Sequence, residues 1–396
     1  MPVTQVLIRD ISRARQAGFA VLRSVAEGAF ASDRLRDESR SLDSRDAGLA
    51  AQIVFGCLRF QAQLDYLIFR YSGKRANDLD QPVRIALRMA IFQIRYLERI
   101  PAHAAVHDAV ELVKIHKRAA TGLTNAVLRK VTRGPIEWPD AATALSCPEW
   151  LLKRWEEQFG TDAARGIAAV ALEEPAAYVR VAAGMEPPPG TELEPTPVSG
   201  AYRVRSPLQA GVRLHDISSQ AIVPLLDLRP GLTYLDLCAA PGNKTIQALE
   251  TPLDLAIACD ISWNRLRQVP PVCPRVVLDA AQPLPFRKQF DRVFIDAPCS
   301  GTGTLARNPE IKWRITEHDF EGFQIRQTQI LSQGSKVLVR GGLLLYATCS
   351  LEREENEDVV RRVLATAPEL KLDSEMRRLP GRDVGDGFYA AVIRRQ

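Results

Sequence analysis

The sequence predicts a multidomain chain: an all-α N-terminal domain over residues 1–138, a small α+β linking module over 139–205, and a C-terminal α/β domain built on a doubly wound parallel sheet over 206–396. Three observations predict it. In the first third, apolar residues recur at three- and four-residue spacing, and Gly and Pro close the runs. After Ser206, strand-length apolar runs alternate with turns and helical patterns; strands that are apolar almost throughout are buried on both faces, as in a parallel sheet. Between the two lies a Pro- and Glu-dense stretch, Glu186 to Pro197, which suits an exposed loop.

The helical elements follow in order: "ARQAGFAVLRSVAEG", "SRDAGLAAQIVFGCLRFQAQLDYLIFRYS", "PVRIALRMAIFQIRYLE" and "AHAAVHDAVELVKIHK". Asn77-Asp78-Leu79-Asp80-Gln81-Pro82 before the third run and Pro101 before the fourth are entry signals. His103, His107 and Glu111 share one helical face, but the spacing supplies no ligand beyond that helix, so the face reads as amphipathic surface and no metal site is expected. The linking module reads as a helix, "PEWLLKRWEEQFG", then a short strand, "AAYVRVAAG". The α/β alternation runs "LTYLDLC" to "APGNKTIQALE", "LAIACD" to "ISWNRLRQV", "RVVLDA", "DRVFIDAP", and "GGLLLYATCS" to "EREENEDVVRRVLAT". In such a sheet the ligand lies beyond the carboxyl ends of the strands.

Composition narrows the class. With 46% hydrophobic and 25% charged residues over 396 positions, the chain reads as globular with two or three domains. Its longest apolar stretches, such as Gly342 to Ala347, are strand length, and the opening "MPVTQVLIRDISRARQAG" lacks the apolar run of a signal peptide, so a cytoplasmic protein without membrane association is expected. Seven cysteines without a C-x-x-C pair argue against a disulfide framework and a thiolate zinc site; Cys57 and Cys259 sit in apolar runs as small core residues. Residues 1–135 carry 22 Lys and Arg against 13 Asp and Glu, and the remainder 30 against 34. That basic first third suits a polyanionic partner, above all nucleic acid.

The strand ends carry the chemistry. The first strand runs into a small-residue turn, Cys238-Ala239-Ala240-Pro241-Gly242, followed by Asn243 and Lys244 at the start of a helix, where exposed N–H groups favour an anionic group. The dinucleotide fingerprint G-x-G-x-x-G is absent from it. The second strand ends in Asp260, 24 residues after Asp236, where an acid accepts from ribose hydroxyls, and the third ends in Asp279-Ala280, a place to hold an adenine amino group. Acids in register at successive strand ends point to an adenosine ligand without phosphates, and S-adenosylmethionine fits that description.

"HDISSQ" (215–220), "DLCAAPGNKT", "DAPCSGTGT", "RNPEIKW" (307–313) and "YATCSLEREENE" (346–357) occur in the order seen in RNA cytosine-5 methyltransferases, which the last 190 or so residues resemble. The helical first third resembles the NusB-type RNA-binding domain, and the pairing resembles the bacterial RsmB type. The resemblance implies a Rossmann-like S-adenosylmethionine-dependent methyltransferase domain and a substrate in small-subunit (16S) rRNA, at cytosine 967 in that family. No obligatory protein partner is expected. Carbon 5 of cytosine is a poor nucleophile, so a thiolate must first add to carbon 6, and a second group must later remove the carbon-5 proton. Resemblance assigns the attack to Cys349 of Thr348-Cys349-Ser350 and the release to Cys299 of Pro298-Cys299. In DNA cytosine methyltransferases the Pro-Cys cysteine attacks instead, so position alone leaves both orders open. Asp296 can face the cytosine amidine edge, and Lys244 can reach the same ring and lower nearby thiol pKa values.

Around the site, Gly301 and Gly303 are expected to let a loop close over a flipped base, with Arg307, Lys312 and Trp313 near the RNA backbone. Two departures from the family are visible. Asn243 stands where a second glycine is usual, a residue that tolerates positive φ, and His215 stands where glutamine is usual. Two other functions remain open at this point: a tRNA cytosine-5 methyltransferase, and a non-catalytic RNA-binding assembly factor with a relict sheet. The intact set Lys244, Asp260, Asp279, Asp296, Cys299 and Cys349 argues against the relict.

Overall fold

The computed structural model describes residues 11–187, 189–206 and 212–396; the first ten residues of the opening stretch and Pro188 of the Pro-rich loop lie outside them. The chain divides into two compact units, Met1–Glu173 with Leu305–Arg314, and Glu174–Thr304 with Ile315–Gln396. The boundaries therefore differ from those expected at 138/139 and 205/206. The helices of the expected linking module fall in the first unit and its strands in the second.

The first unit holds α1 (Arg13–Ala26), α2 (Ala31–Glu38), α3 (Ser44–Arg59), α4 (Gln61–Ser72), α5 (Gln81–Tyr96), α6 (Ala102–His116), α7 (Thr121–Leu128), α8 (Ala141–Ala144), α9 (Glu149–Phe159) and α10 (Thr161–Val170). Local chemistry sets the ends: Ser12 and Asp43 side chains accept from the backbone N–H of Arg15 and Asp46, and Pro82 sits in the first turn of α5. The centre is α5, on which ten residues are buried. It approaches α3 so closely that a Cβ on Gly56 would fall 1.9 Å from the Phe92 ring. Arg15 ties three helices together, donating from Nε to Gln93 at 2.6 Å and from Nη1 to Asp108 at 3.0 Å in a buried pair.

The segment Leu305–Arg314 completes this unit. The chain breaks between α3 and α4, leaving last-turn carbonyls of α3 without helical donors. Lys312 Nζ donates to the Arg59 carbonyl at 3.0 Å and Trp313 Nε1 to that of Leu58 at 2.7 Å, while Glu310 accepts from the Ala31 N–H at 3.0 Å. Lys312 is 1% exposed, and burial lowers its pKa to about 8. Lys312 is thus an internal anchor, which corrects the expectation that it lies along an RNA backbone, whereas Trp313 is half-buried with its Nε1 engaged by Leu58. Arg307 is half-buried.

In the second unit, among the described residues, a three-stranded antiparallel sheet (β1 Tyr178–Arg180, β2 Leu193–Pro195, β3 Ala201–Val204) has the order β1-β3-β2. A seven-stranded sheet (β4 Thr233–Asp236, β5 Leu255–Asp260, β6 Arg275–Val277, β7 Phe290–Asp296, β8 Leu338–Thr348, β9 Leu370–Arg378, β10 Phe388–Arg395) has the order β6-β5-β4-β7-β8-β10-β9. β6 to β8 are parallel as expected. The C-terminal pair β9 and β10 is added antiparallel, so the sheet is mixed where a parallel one was expected. Its central strands are covered on both faces: Val293 and Ile295 pack into one core, and their neighbour Phe294 into the other. The remaining helices of this unit are α11 (Ile217–Ile222), α12 (Asn243–Ala248), α13 (Trp263–Leu266), α15 (Asp319–Lys336) and α16 (Glu357–Thr366), with α14 (Ile311–Arg314) belonging to the first unit. Strand order reverses between β4 and β7, which opens a crevice at their carboxyl ends.

Candidate active site

Each acid expected at a strand end is found near one. Asp236 closes β4 fully buried, accepting from Thr245 Oγ1 at 2.7 Å and from the Cys238 N–H at 3.3 Å. Burial raises its pKa to about 7, against the lowering effect of Thr245. Asp260 closes β5 and accepts from the Ser262 N–H at 2.9 Å. Asp279 lies two residues past β6 and accepts from the Ala281 N–H at 3.0 Å and from Arg326 at 2.9 Å. Asp296 closes β7.

The turn after β4 runs from Cys238 to Gly242. The Ala239 N–H donates to the Cys259 carbonyl at 2.7 Å, drawing the turn against the end of β5. Gly242 has φ +106°, and a Cβ there would meet Val269 at 3.1 Å, so glycine is required by both conformation and space. Asn243 opens α12 and is not in the left-handed region, so its tolerance of positive φ is not what preserves the turn. Its side chain donates to the Leu214 carbonyl at 2.7 Å and accepts from Arg213 at 3.1 Å. His215 is buried against Ser219, Nε2 to Oγ 3.1 Å, and burial, with the cations of Lys244, Arg180 and Arg213 around it, lowers its pKa to about 3. It is a neutral packing residue at the entry to α11.

Lys244, one residue into α12, reaches across to β7 and donates to Asp296 Oδ2 at 2.6 Å. Burial pulls the ammonium down, but the Asp296 carboxylate outweighs it and the net shift is upward, so this lysine is charged. Its Nζ also lies 5.1 Å from the centre of the Phe388 ring on β10.

The two expected cysteines meet. Cys299, past the end of β7, and Cys349, past the end of β8, place their sulfurs 3.3 Å apart with no disulfide between them. Contact with Cys349 pushes the Cys299 thiol well up, and burial adds to the rise. Cys57 and Cys259 are buried core residues and burial raises both thiols.

The loop bearing Cys299 is hydrogen-bonded to both neighbouring segments. The Gly303 N–H donates to the Cys349 carbonyl at 2.9 Å, and the Gly303 carbonyl accepts from Gly387 at 2.8 Å. A Cβ on Gly303 would lie 2.5 Å from the Gly387 oxygen. This glycine is a point of close backbone approach between the two cysteine loops and the Gly387 turn. Sequence reasoning also passed over the polar cluster behind the thiols, Ser300, Gln327, Ser350 and Glu355, all buried. Only the placement of Ser300 and Ser350 directly after the two cysteines could have signalled it.

The residues present fit S-adenosylmethionine. The turn offers small side chains beside the Asp260 carboxylate, and Ile261, next to that acid, stays 55% exposed, which leaves apolar surface for an adenine ring. Among the described residues no group of three or more His, Cys, Asp or Glu is placed to hold a metal, and no helix is long and apolar enough to cross a membrane.

Comparison with known proteins follows the same division. Residues 223–394 match the model of the 16S rRNA methyltransferase RsmB/F family, and residues 12–133 that of the NusB family. The ribosomal RNA small subunit methyltransferase B of Cronobacter sakazakii is 30% identical over 429 residues, covering 97% of this chain and 99% of its own. The fold is that of the crystal structure of the protein PH0851, with a TM-score of 0.80 at 21% identity, covering 97% of this chain and 98% of the other. A methyltransferase homologue from Pyrococcus horikoshii aligns with a TM-score of 0.55 at 24% identity, covering 66% of this chain and all of its own. With a NusB-like helical region ahead of a methyltransferase sheet, the chain belongs to the RsmB/F family of S-adenosylmethionine-dependent 16S rRNA methyltransferases.

Proposed function

We propose that the chain methylates carbon 5 of a cytosine in 16S rRNA, by resemblance cytosine 967, through a covalent bond between Cys349 and carbon 6. The observation that carries this reading is the pair of sulfurs 3.3 Å apart beside the Lys244–Asp296 pair. One catalytic thiol alone would need no second one in contact. Resemblance makes Cys349 the attacking thiol, and the elevated Cys299 thiol in contact with it is placed for the later release step.

Bound S-adenosylmethionine supplies an electrophilic methyl group; Cys238, Ala239, Ala240, Pro241, Gly242, Asn243 and Lys244 of the turn, with Asp260, Asp279 and Asp296, are the residues assigned to hold it. Cys349 Sγ donates its electron pair to carbon 6 of an unstacked cytosine, and the electrons of the 5,6 double bond move to carbon 5, which becomes nucleophilic. Asp296 accepts from the amino group on the amidine edge, and the Lys244 cation beside it offsets the negative charge that addition drives into the ring. After methylation, Cys299 gives its own proton to solvent and, as the thiolate, removes the carbon-5 proton, which returns it to the neutral thiol. The 5,6 double bond re-forms and the bond from carbon 6 to Cys349 breaks.

The test is incubation with tritiated S-adenosylmethionine and deproteinised small-subunit rRNA, followed by nucleoside analysis. Label in 5-methylcytidine is expected; no label there with rRNA or tRNA would refute the reading, and label with tRNA alone would change the substrate. Cys349→Ala should abolish turnover and covalent capture on 5-azacytidine RNA. Cys299→Ala should accumulate RNA-linked protein on ordinary cytosine. Exchanged phenotypes would reverse the two roles.

A further inference from the structure

The geometry points to Glu355 as the positioning residue that holds the loops of both catalytic cysteines to a single carboxylate, and so fixes the approach of Cys299 to Cys349. The inference rests on the two-thiol reading above and adds a residue that touches neither thiol's reacting partner.

Glu355 sits fully buried in the turn before α16, behind the thiols. Its Oε2 accepts from the Ser300 N–H at 2.8 Å and from Gln327 Nε2 at 2.9 Å. Its Oε1 accepts from the hydroxyl of Ser350 at 2.5 Å and from that of Ser300. Ser300 is joined covalently to Cys299 and Ser350 to Cys349, so one side chain grips the residue after each thiol. Gln327, from α15, also donates to the carbonyl of Pro298 at 3.0 Å and thereby binds the residue before Cys299. The two serine hydroxyls lie 3.0 Å apart, and the Ser350 oxygen accepts in turn from the Glu352 N–H at 3.0 Å.

Nothing else on the two loops explains why a carboxylate is buried there. Desolvation opposes its charge, raising its pKa, and four donors are needed to compensate. A hydrophobic residue of similar volume would avoid that cost, but it would leave the Ser300 N–H without its acceptor and remove the link that joins the residues following the two thiols. One acid thus joins the chain directly after each sulfur, beside the Gly303–Cys349 backbone bond that links the same two loops.

The experiment uses the full chain and two independent readouts. Diamide takes two electrons and two protons from a thiol pair, its N=N bond becoming a hydrazine as the disulfide forms, at a rate set by how readily the sulfurs close from 3.3 Å. Peptide mapping follows the Cys299–Cys349 bond, and kcat and KM are measured in parallel. Glu355→Ala should slow both disulfide formation and kcat by about tenfold or more, leaving KM for RNA and for S-adenosylmethionine within about twofold of wild type. Glu355→Gln should retain both within about threefold. Its amide oxygen can accept from Ser300 N–H and Gln327, while its NH₂ donates to the two hydroxyls, which turn to receive it.

Wild-type rates in Glu355→Ala would overturn the proposal, as would a Glu355→Gln as impaired as Glu355→Ala, since charge rather than geometry would then matter. If Glu355→Ala fails to fold, the Ser300→Ala/Ser350→Ala double variant carries the same expectations and the same refutation. Absence of methyl transfer by the wild-type chain would defeat the proposed reaction, whereas the diamide rates would still decide the role of Glu355.

Discussion

Replacing Gly303 with alanine perturbs the site through one added carbon. Its φ is not in the left-handed region, so the backbone accepts an L side chain and the consequence comes from space alone. The new Cβ would meet the Gly387 oxygen at 2.5 Å, and the Cys349 oxygen and Gly387 carbonyl carbon at 2.8 Å each. All three are backbone atoms of residues that flank sheet strands, so no rotamer change can relieve the contact. Restoring ordinary carbon–oxygen contact needs a separation of roughly 0.5–0.9 Å, in the range where overpacking costs about 1–3 kcal/mol. Stretching the two hydrogen bonds that Gly303 makes to Cys349 and Gly387 adds about 1 kcal/mol. A total of about 2–4 kcal/mol lowers Tm by roughly 5–15 °C for a unit of this size. Because the displaced carbonyl belongs to Cys349 itself, the rate should fall further than stability suggests, by about a hundredfold. Differential scanning calorimetry and single-turnover methyl transfer measure the two. Gly322, on α15 with nothing within 4 Å of a Cβ, is the control of opposite sign: Gly322→Ala should gain about 1 kcal/mol. A Gly303→Ala protein with wild-type Tm and wild-type rate would refute the reasoning.

Two further expectations concern the helical unit. Asp108→Ala strips the buried Arg15 of its carboxylate and should cost about 3–5 kcal/mol in chemical denaturation; a loss under 1 kcal/mol would contradict it. Lys312 binds its proton more weakly folded, at about 8, than unfolded near 10.5, so between those values the unfolded chain holds more protons and stability rises with pH. Wild type should therefore gain about 1–3 kcal/mol relative to Lys312→Met between pH 8 and 10.5, and parallel stability–pH curves for the two proteins would refute the assignment.

Much of the fold is legible in residue order because its signals are local. The helix of Gln81–Tyr96 follows from periodicity and Pro82, and the buried strand Phe290–Asp296 from an unbroken apolar run. The strands β9 and β10 escaped because their pairing is with each other and with β8, and Leu370–Arg378 is polar along much of its length. At the site, motif order singled out Cys299, Cys349, Asp296 and Lys244, and the structure brings these four together. Lys312 was misread for a physical reason: a cation in a motif looks like a nucleic-acid contact, and only the open carbonyl at the end of Ser44–Arg59 reveals where it is spent. Glu355 was invisible because its partners Ser300, Gln327 and Ser350 are remote in sequence or chemically ordinary.

The ten residues from Leu305 to Arg314 make the two units inseparable by any single cut. The backbone passes from one to the other at 173/174, returns at 304/305 and leaves again at 314/315. A fragment ending at Glu173 would carry α3 with its last carbonyls stripped of Lys312 and Trp313, and a fragment starting at Glu174 would carry a lysine and a tryptophan with nowhere to bury them. Evolutionary exchange of either unit for another would have to move three junctions at once, so the helical region is constrained to travel with the loop that begins six residues after Cys299.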